Sequence, residues 1–134
     1  MSRRTISKIL NEAVDYVYYD GWTKHANWGD SDHPGFDLVG AINQANHESP
    51  RPTEELPYLT GTERNRSMSA LRLMLDVIFP EEESHEGVSG KTAIRRLQAW
   101  NDEFVRQECD VTAALRRGMR RARELEEIGL LLYR

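Results

Sequence analysis

Phe36-Asp37-Leu38-Val39-Gly40-Ala41-Ile42-Asn43-Gln44-Ala45 carries a single charge and lies between polar loops and longer amphipathic segments. Asp37 follows Pro34-Gly35 and is placed to cap a helix, its carboxylate accepting from the free N–H groups of the first turn. Leu38, Val39, Ile42 and Ala45 then share one helical face, while Gly40 and Ala41 leave room for a close neighbour on the other. Asn46, Ser49, Pro50 and Pro52 stop the run. A helix of about ten residues cannot hold itself together, because nucleation is too costly for so few hydrogen bonds. The stretch therefore predicts a central core helix that other helices must cover.

Working outward toward the N-terminus, Ile6, Ile9, Leu10, Ala13, Val14 and Val17 recur at helical spacing over residues 5–20. Lys8, Asn11, Glu12 and Asp15 take the other face, and Gly21 is suited to close the helix. Residues 22–35 carry Trp22, His25, Trp28, Asp30, Asp32 and His33 among glycines and small polar residues, the composition of irregular backbone tied by Asx turns. Together with Tyr16, Tyr18 and Tyr19, this is more aromatic density than a core can use. Part of it is expected to line a groove or clamp the loop.

Toward the C-terminus, three prolines make residues 49–57 a second loop. Residues 62–79 predict a helix with Met68, Leu71, Met74, Leu75 and Ile78 as its stripe, stopped by Pro80. Residues 81–90 read as an exposed acidic loop. Ser89 or Thr92 then caps a short helix bearing Ile94, Leu97 and Trp100. Asp110 or Thr112 opens a long one with Val111, Ala114, Leu115, Gly118, Met119 and Ala122 on one face. Four or five helices of unequal length, with no strand pattern, predict an all-α fold: a small irregular, orthogonal bundle around the short central helix.

At 134 residues the chain reads as one domain, residues 1–134, able to bury a core without staples. Residues 124–134 read as an interaction tail, because Ile128-Gly129-Leu130-Leu131-Leu132-Tyr133 would place apolar side chains all round a helix end. Such a run needs a cover, and symmetric pairing of two tails in a homodimer supplies one. The net charge of −4 and pI near 5.6 argue against general nucleic-acid binding. The single Cys109 cannot form an internal disulfide and fits a reducing compartment. No apolar run approaches the roughly 18 residues of a membrane span, and Met1–Leu10 lacks the apolar core of a signal peptide. The expectation is a cytoplasmic protein with no membrane partner.

Three short motifs recur in a known pattern: Gly21-Trp22 after the opening helix, Leu38-Val39-Gly40-Ala41-Ile42 in the middle, and Trp100-Asn101-Asp102 before the last helix. The chain in this respect resembles a family of small proteins of unknown function found in actinobacteria and their phages. The corresponding family patterns are a G-W opening, an A-L-G-A-I middle and a W-N-D element. The resemblance implies a helical fold and an actinobacterial or phage source, and brings no activity with it. The chain departs from the pattern at Asp37, where relatives carry a small residue or cysteine, and in its arginine-rich C-terminal extension.

Chemistry is sparse. His25, Asp30, Asp32 and His33 match no ligand spacing and read as turn formers, so neither a metal nor a cofactor is expected. Trp100, Asn101 and Asp102 read, with Asp37, as structural elements that anchor and cap helix ends. Catalysis by Asp102 would require a partner and a pocket that no pattern indicates, and no phosphate-cradling glycine motif is present. No catalytic residue is assigned. Arg116, Arg117, Arg120, Arg121 and Arg123 read as a solvated face supported by Arg120–Glu124 and Arg123–Glu127 pairs. The expectation is a non-enzymatic protein-interaction factor, phage-encoded and acting on a host protein or on itself. Tyr19, Trp22, Trp28, Arg117, Arg121, Leu131 and Leu132 are its candidate contacts, since Tyr, Trp and Arg supply most interface hot spots. The alternative is a nucleic-acid-associated protein using the arginine helix.

Overall fold

A computed structural model describes residues 5–24, 35–46, 61–82, 85, 87–105 and 107–129. Expectations about Trp28, the His25–His33 cluster, residues 49–57 and the Leu131-Leu132 tail lie outside the described residues. Among those described, five helices and no strand confirm the all-α class: α1 Ile6–Asp20, α2 Leu38–Asn46, α3 Gly61–Ile78, α4 Gly90–Glu103 and α5 Glu108–Glu127.

The central helix is more deeply covered than its pattern implied. α2 buries both its apolar face and Gly40, Gln44 and Asn46, so it is enclosed on nearly every side. Burial of this kind is what a nine-residue helix needs in place of intrinsic stability. Its last turn is held by polar contacts inside the protein. The Asn46 side-chain amide donates to the Glu63 carbonyl and to Ser67 Oγ at 2.8 Å, and its oxygen accepts from Arg66 Nε at 3.0 Å. Glu63, Arg66 and Ser67 are consequently buried in the first turns of α3, ahead of the apolar stripe that announced that helix. Periodicity of apolar residues cannot reveal a buried polar contact, and this one was missed.

α1 begins at Thr5, whose Oγ accepts from Lys8 N–H at 3.2 Å, and ends at Gly21 with φ +99°, the conformation glycine adopts freely. Ser7 lies against Glu126 and Leu10 against Gly118, so α1 and α5 run antiparallel. Glu126 accepts from both the Ser7 N–H (3.0 Å) and the Ser7 hydroxyl (2.6 Å), so α5 supplies a second cap for the start of α1. Gly118 leaves the space that Met74 of α3 fills. The start of α5 differs from expectation. Gln107 is its N-cap, and Asp110 sits at the third position, accepting from the Gln107 N–H at 3.1 Å. An acidic side chain near a helix start can reach back as well as forward, and sequence does not distinguish the two.

The ion pair on the outer face of α5 also differs. Arg121 meets Glu124 at 3.2 Å, three residues on, instead of the four-residue spacing expected. His85 overturns the reading of residues 81–90 as a wholly exposed loop: it is 3 % exposed. No helix is long and apolar enough to cross a membrane among the described residues.

Candidate functional site

The C-termini of α1 and α4 and the N-termini of α2 and α5 gather at one end of the bundle, and Asn101 joins those of α1, α2 and α4. Its side chain is fully buried. Its Oδ1 accepts from the Trp22 indole N–H at 2.8 Å and from the Leu38 backbone N–H at 3.2 Å. Its Nδ2 donates to the Thr23 carbonyl at 3.1 Å and to Asp102 Oδ1 at 3.0 Å. One amide thus ties the last turn of α4 to the first free N–H of α2 and to the chain leaving α1. Trp100, beside it, is only partly buried, so Asn101 is the anchor of the Trp100-Asn101-Asp102 motif.

Beneath this clamp the chain is pinched shut. Thr23 N–H donates to the Phe36 carbonyl (3.1 Å) and Phe36 N–H to the Gly21 carbonyl (2.9 Å). Gly35 makes the closure possible. Its φ is +130°, and a Cβ there would lie 2.6 Å from the Gly21 carbonyl carbon and oxygen. Phe36 then inserts into the core, edge-on to Tyr16 with ring centroids 5.5 Å apart.

Asp37 caps α2 as its position predicted, accepting from Gly40 N–H at 2.6 Å. It is 1 % exposed. Burial pushes its carboxyl up to about 7; hydrogen bonds from Gly40 and Val39 pull it down, and the nearby Asp102 charge adds to the rise. A buried carboxyl with so raised a pKa is the kind of group active sites use. Here it is buried and occupied as the cap of its own helix.

The outer surface of the same end is aromatic. Tyr18 and Tyr19 are 64 % and 77 % exposed, their rings edge-to-face at 4.9 Å. Phe104, just past α4, is 67 % exposed. Trp22 is partly buried and carries the Lys24 ammonium 5.3 Å from its ring centroid. Of the expected contact residues, the structure brings Tyr19 and Trp22 to this end. It places Arg117 and Arg121 on the exposed face of α5. Tyr18 was read as part of the aromatic cluster but not named as a contact, and Phe104 was not singled out, because a lone aromatic between two helices has no signature in sequence.

A second polar cluster lies between α3 and α4. His85 Nδ1 meets Asp76 Oδ1 at 2.6 Å and Nε2 meets Glu82 Oε1 at 3.0 Å, while Glu82 also pairs with Arg96 at 2.7 Å. Both ring nitrogens can donate only when the imidazole is protonated. Burial alone would push His85 down. The Asp76 and Glu82 hydrogen bonds, with the Asp76 charge, outweigh it and hold the pKa above its ordinary value. The Arg96 and His85 contacts keep Glu82 below the usual carboxylate range. The carboxylates sit on opposite sides of the ring, so they do not converge on a shared metal position, and no metal-binding group occurs among the described residues.

These features define an all-helical bundle in which a buried asparagine and a buried carboxyl organise one aromatic end. The chain belongs to the Family of unknown function (DUF6197), whose model matches residues 1–121. No curated protein and no solved structure matches it.

Proposed function

We propose that the protein is a non-enzymatic interaction factor that binds another protein through the aromatic end of its bundle. The observation that carries this reading is the exposure of Tyr18, Tyr19 and Phe104 at the end organised by Asn101. Exposed aromatics cost the monomer solubility and return binding energy only when a partner covers them. The burial of Asp37 as a helix cap supports a non-catalytic role for the most perturbed carboxyl of the site. In this proposal the protein is of actinobacterial or phage origin and acts in the cytoplasm, a phage copy on a protein of its host.

The test is affinity capture with the intact chain and with Tyr18→Ala/Tyr19→Ala as baits. A partner retained by the first and lost from the second, at unchanged thermal midpoint, is expected. Equal retention by both would overturn the assignment of this surface. A second reading, nucleic-acid binding by α5, rests on the exposure of Arg116, Arg117, Arg120, Arg121 and Arg123. It requires a gel shift that weakens steeply with salt and disappears in Arg117→Glu/Arg121→Glu.

A further inference from the structure

Charge at the aromatic end narrows the chemistry of what can dock there. On α1, Asp15, Tyr18 and Tyr19 are spaced i, i+3 and i+4 and so share one face, and Asp20 closes the helix. On α4, Glu103 closes the helix and Phe104 follows it. Asn101 holds these two helix ends together through Trp22 and Thr23. Each helix presents its negative pole here, and neither has a basic residue in its last turn. Asp20 and Glu103 stand at these poles, where a carboxylate is electrostatically unfavourable. Asp15, Asp20 and Glu103 are all exposed and have no ion-pair partner among the described residues. The N-termini of α2 and α5 at the same end are already capped by Asp37 and Asp110.

We infer that this end is a docking surface for a lysine- or arginine-rich segment of a partner protein, which rests on the interaction reading above. A guanidinium can lie flat on an exposed tyrosine or phenylalanine ring while its N–H groups pair with neighbouring carboxylates. Lys24 over Trp22 shows a cation–ring contact already formed at this end. An acidic segment or a nucleic-acid backbone would meet the field of two helix poles and of three carboxylates that have no ion-pair partner among the described residues, offset in part by Lys24, and be repelled.

The test is fluorescence anisotropy of a labelled short peptide alternating arginine and serine, titrated with the full chain at about 0.15 M salt, where long-range attraction is screened. Saturable binding is expected, with none by the same peptide carrying glutamate for arginine. Tyr18→Ala/Tyr19→Ala, which leaves the charge unchanged, should weaken binding by about tenfold, as loss of two cation–ring contacts implies. Asp15→Asn/Asp20→Asn/Glu103→Gln should weaken it at least as much. Glu81→Gln/Glu124→Gln/Glu127→Gln, which changes the net charge equally elsewhere, should weaken it less than about twofold.

Equal loss in the two triple variants would overturn the inference in favour of undirected charge attraction. No effect of the tyrosine change would overturn it, as would absence of binding. A concentration-dependent dimer in sedimentation, abolished by the same tyrosine change, would also overturn it and make a second copy the occupant. If the peptide fails but the affinity capture still depends on Tyr18 and Tyr19, the basic-segment inference falls and the interaction reading survives.

Discussion

Replacing Asp37 by asparagine should stabilise this protein at alkaline pH, although it removes a charged helix cap. The carboxyl is pushed up to about 7 from its ordinary 3.8, burial being the largest cause. At about 1.4 kcal/mol per pH unit, ionising it costs the folded state about 4 kcal/mol. That is a large share of the roughly 5–15 kcal/mol that holds a domain of this kind folded. The sign follows from the proton balance. Between 3.8 and about 7 the folded chain holds a proton that the unfolded chain has released, so stability falls as pH rises across that window and is level above it. Asparagine keeps an oxygen for the Gly40 N–H and cannot ionise. Urea unfolding followed by far-ultraviolet circular dichroism, on both proteins across the range from about pH 4 to about pH 8.5, measures the difference directly. The two should be nearly equal at the acid end, and Asp37→Asn should lead by up to about 4 kcal/mol at the alkaline end. Parallel pH profiles, or a wild type that leads at alkaline pH, would refute the reasoning and show Asp37 to be a charged cap stabilised by its N–H donors.

Three further outcomes are expected. Asn101→Asp keeps the acceptor for Trp22 and Leu38 but loses the donor to Thr23 and adds a carboxylate beside Asp37 and Asp102; it should cost about 3 kcal/mol or more, with the loss growing from pH 5 to pH 8 in the same urea assay. Gly35→Ala should cost more than Gly87→Ala, because both have positive φ but only the Gly35 Cβ would meet backbone, at 2.6 Å; a loss limited to about 1–2 kcal/mol at both sites in thermal melts would show that strain alone matters. The His85 contacts should add stability that is fully present below the ordinary imidazole value of 6.5 and is lost as pH rises through the raised value. His85→Gln should flatten that alkaline loss, and a proton-detected titration of the ring below 6.5 would contradict the assignment.

The apolar spacing of α1, α3, α4 and α5 was legible from the chain, because a helix that packs on one face must repeat its contacts every three to four residues. The short α2 was legible for a different reason: so apolar a stretch, too short to be stable alone, must be buried. Asp37 as its cap followed from local chemistry between neighbouring residues. What the chain could not show are the contacts that join residues distant in sequence. Asn101 was readable as structural, but not as the group that satisfies Trp22, Thr23 and Leu38 at once, since those partners lie 63 to 79 residues away. Asn46 with Arg66 and Ser7 with Glu126 belong to the same class. Polar pairing leaves no periodic trace in sequence. Only folding brings donor and acceptor into range, and only burial then makes leaving them unpaired costly.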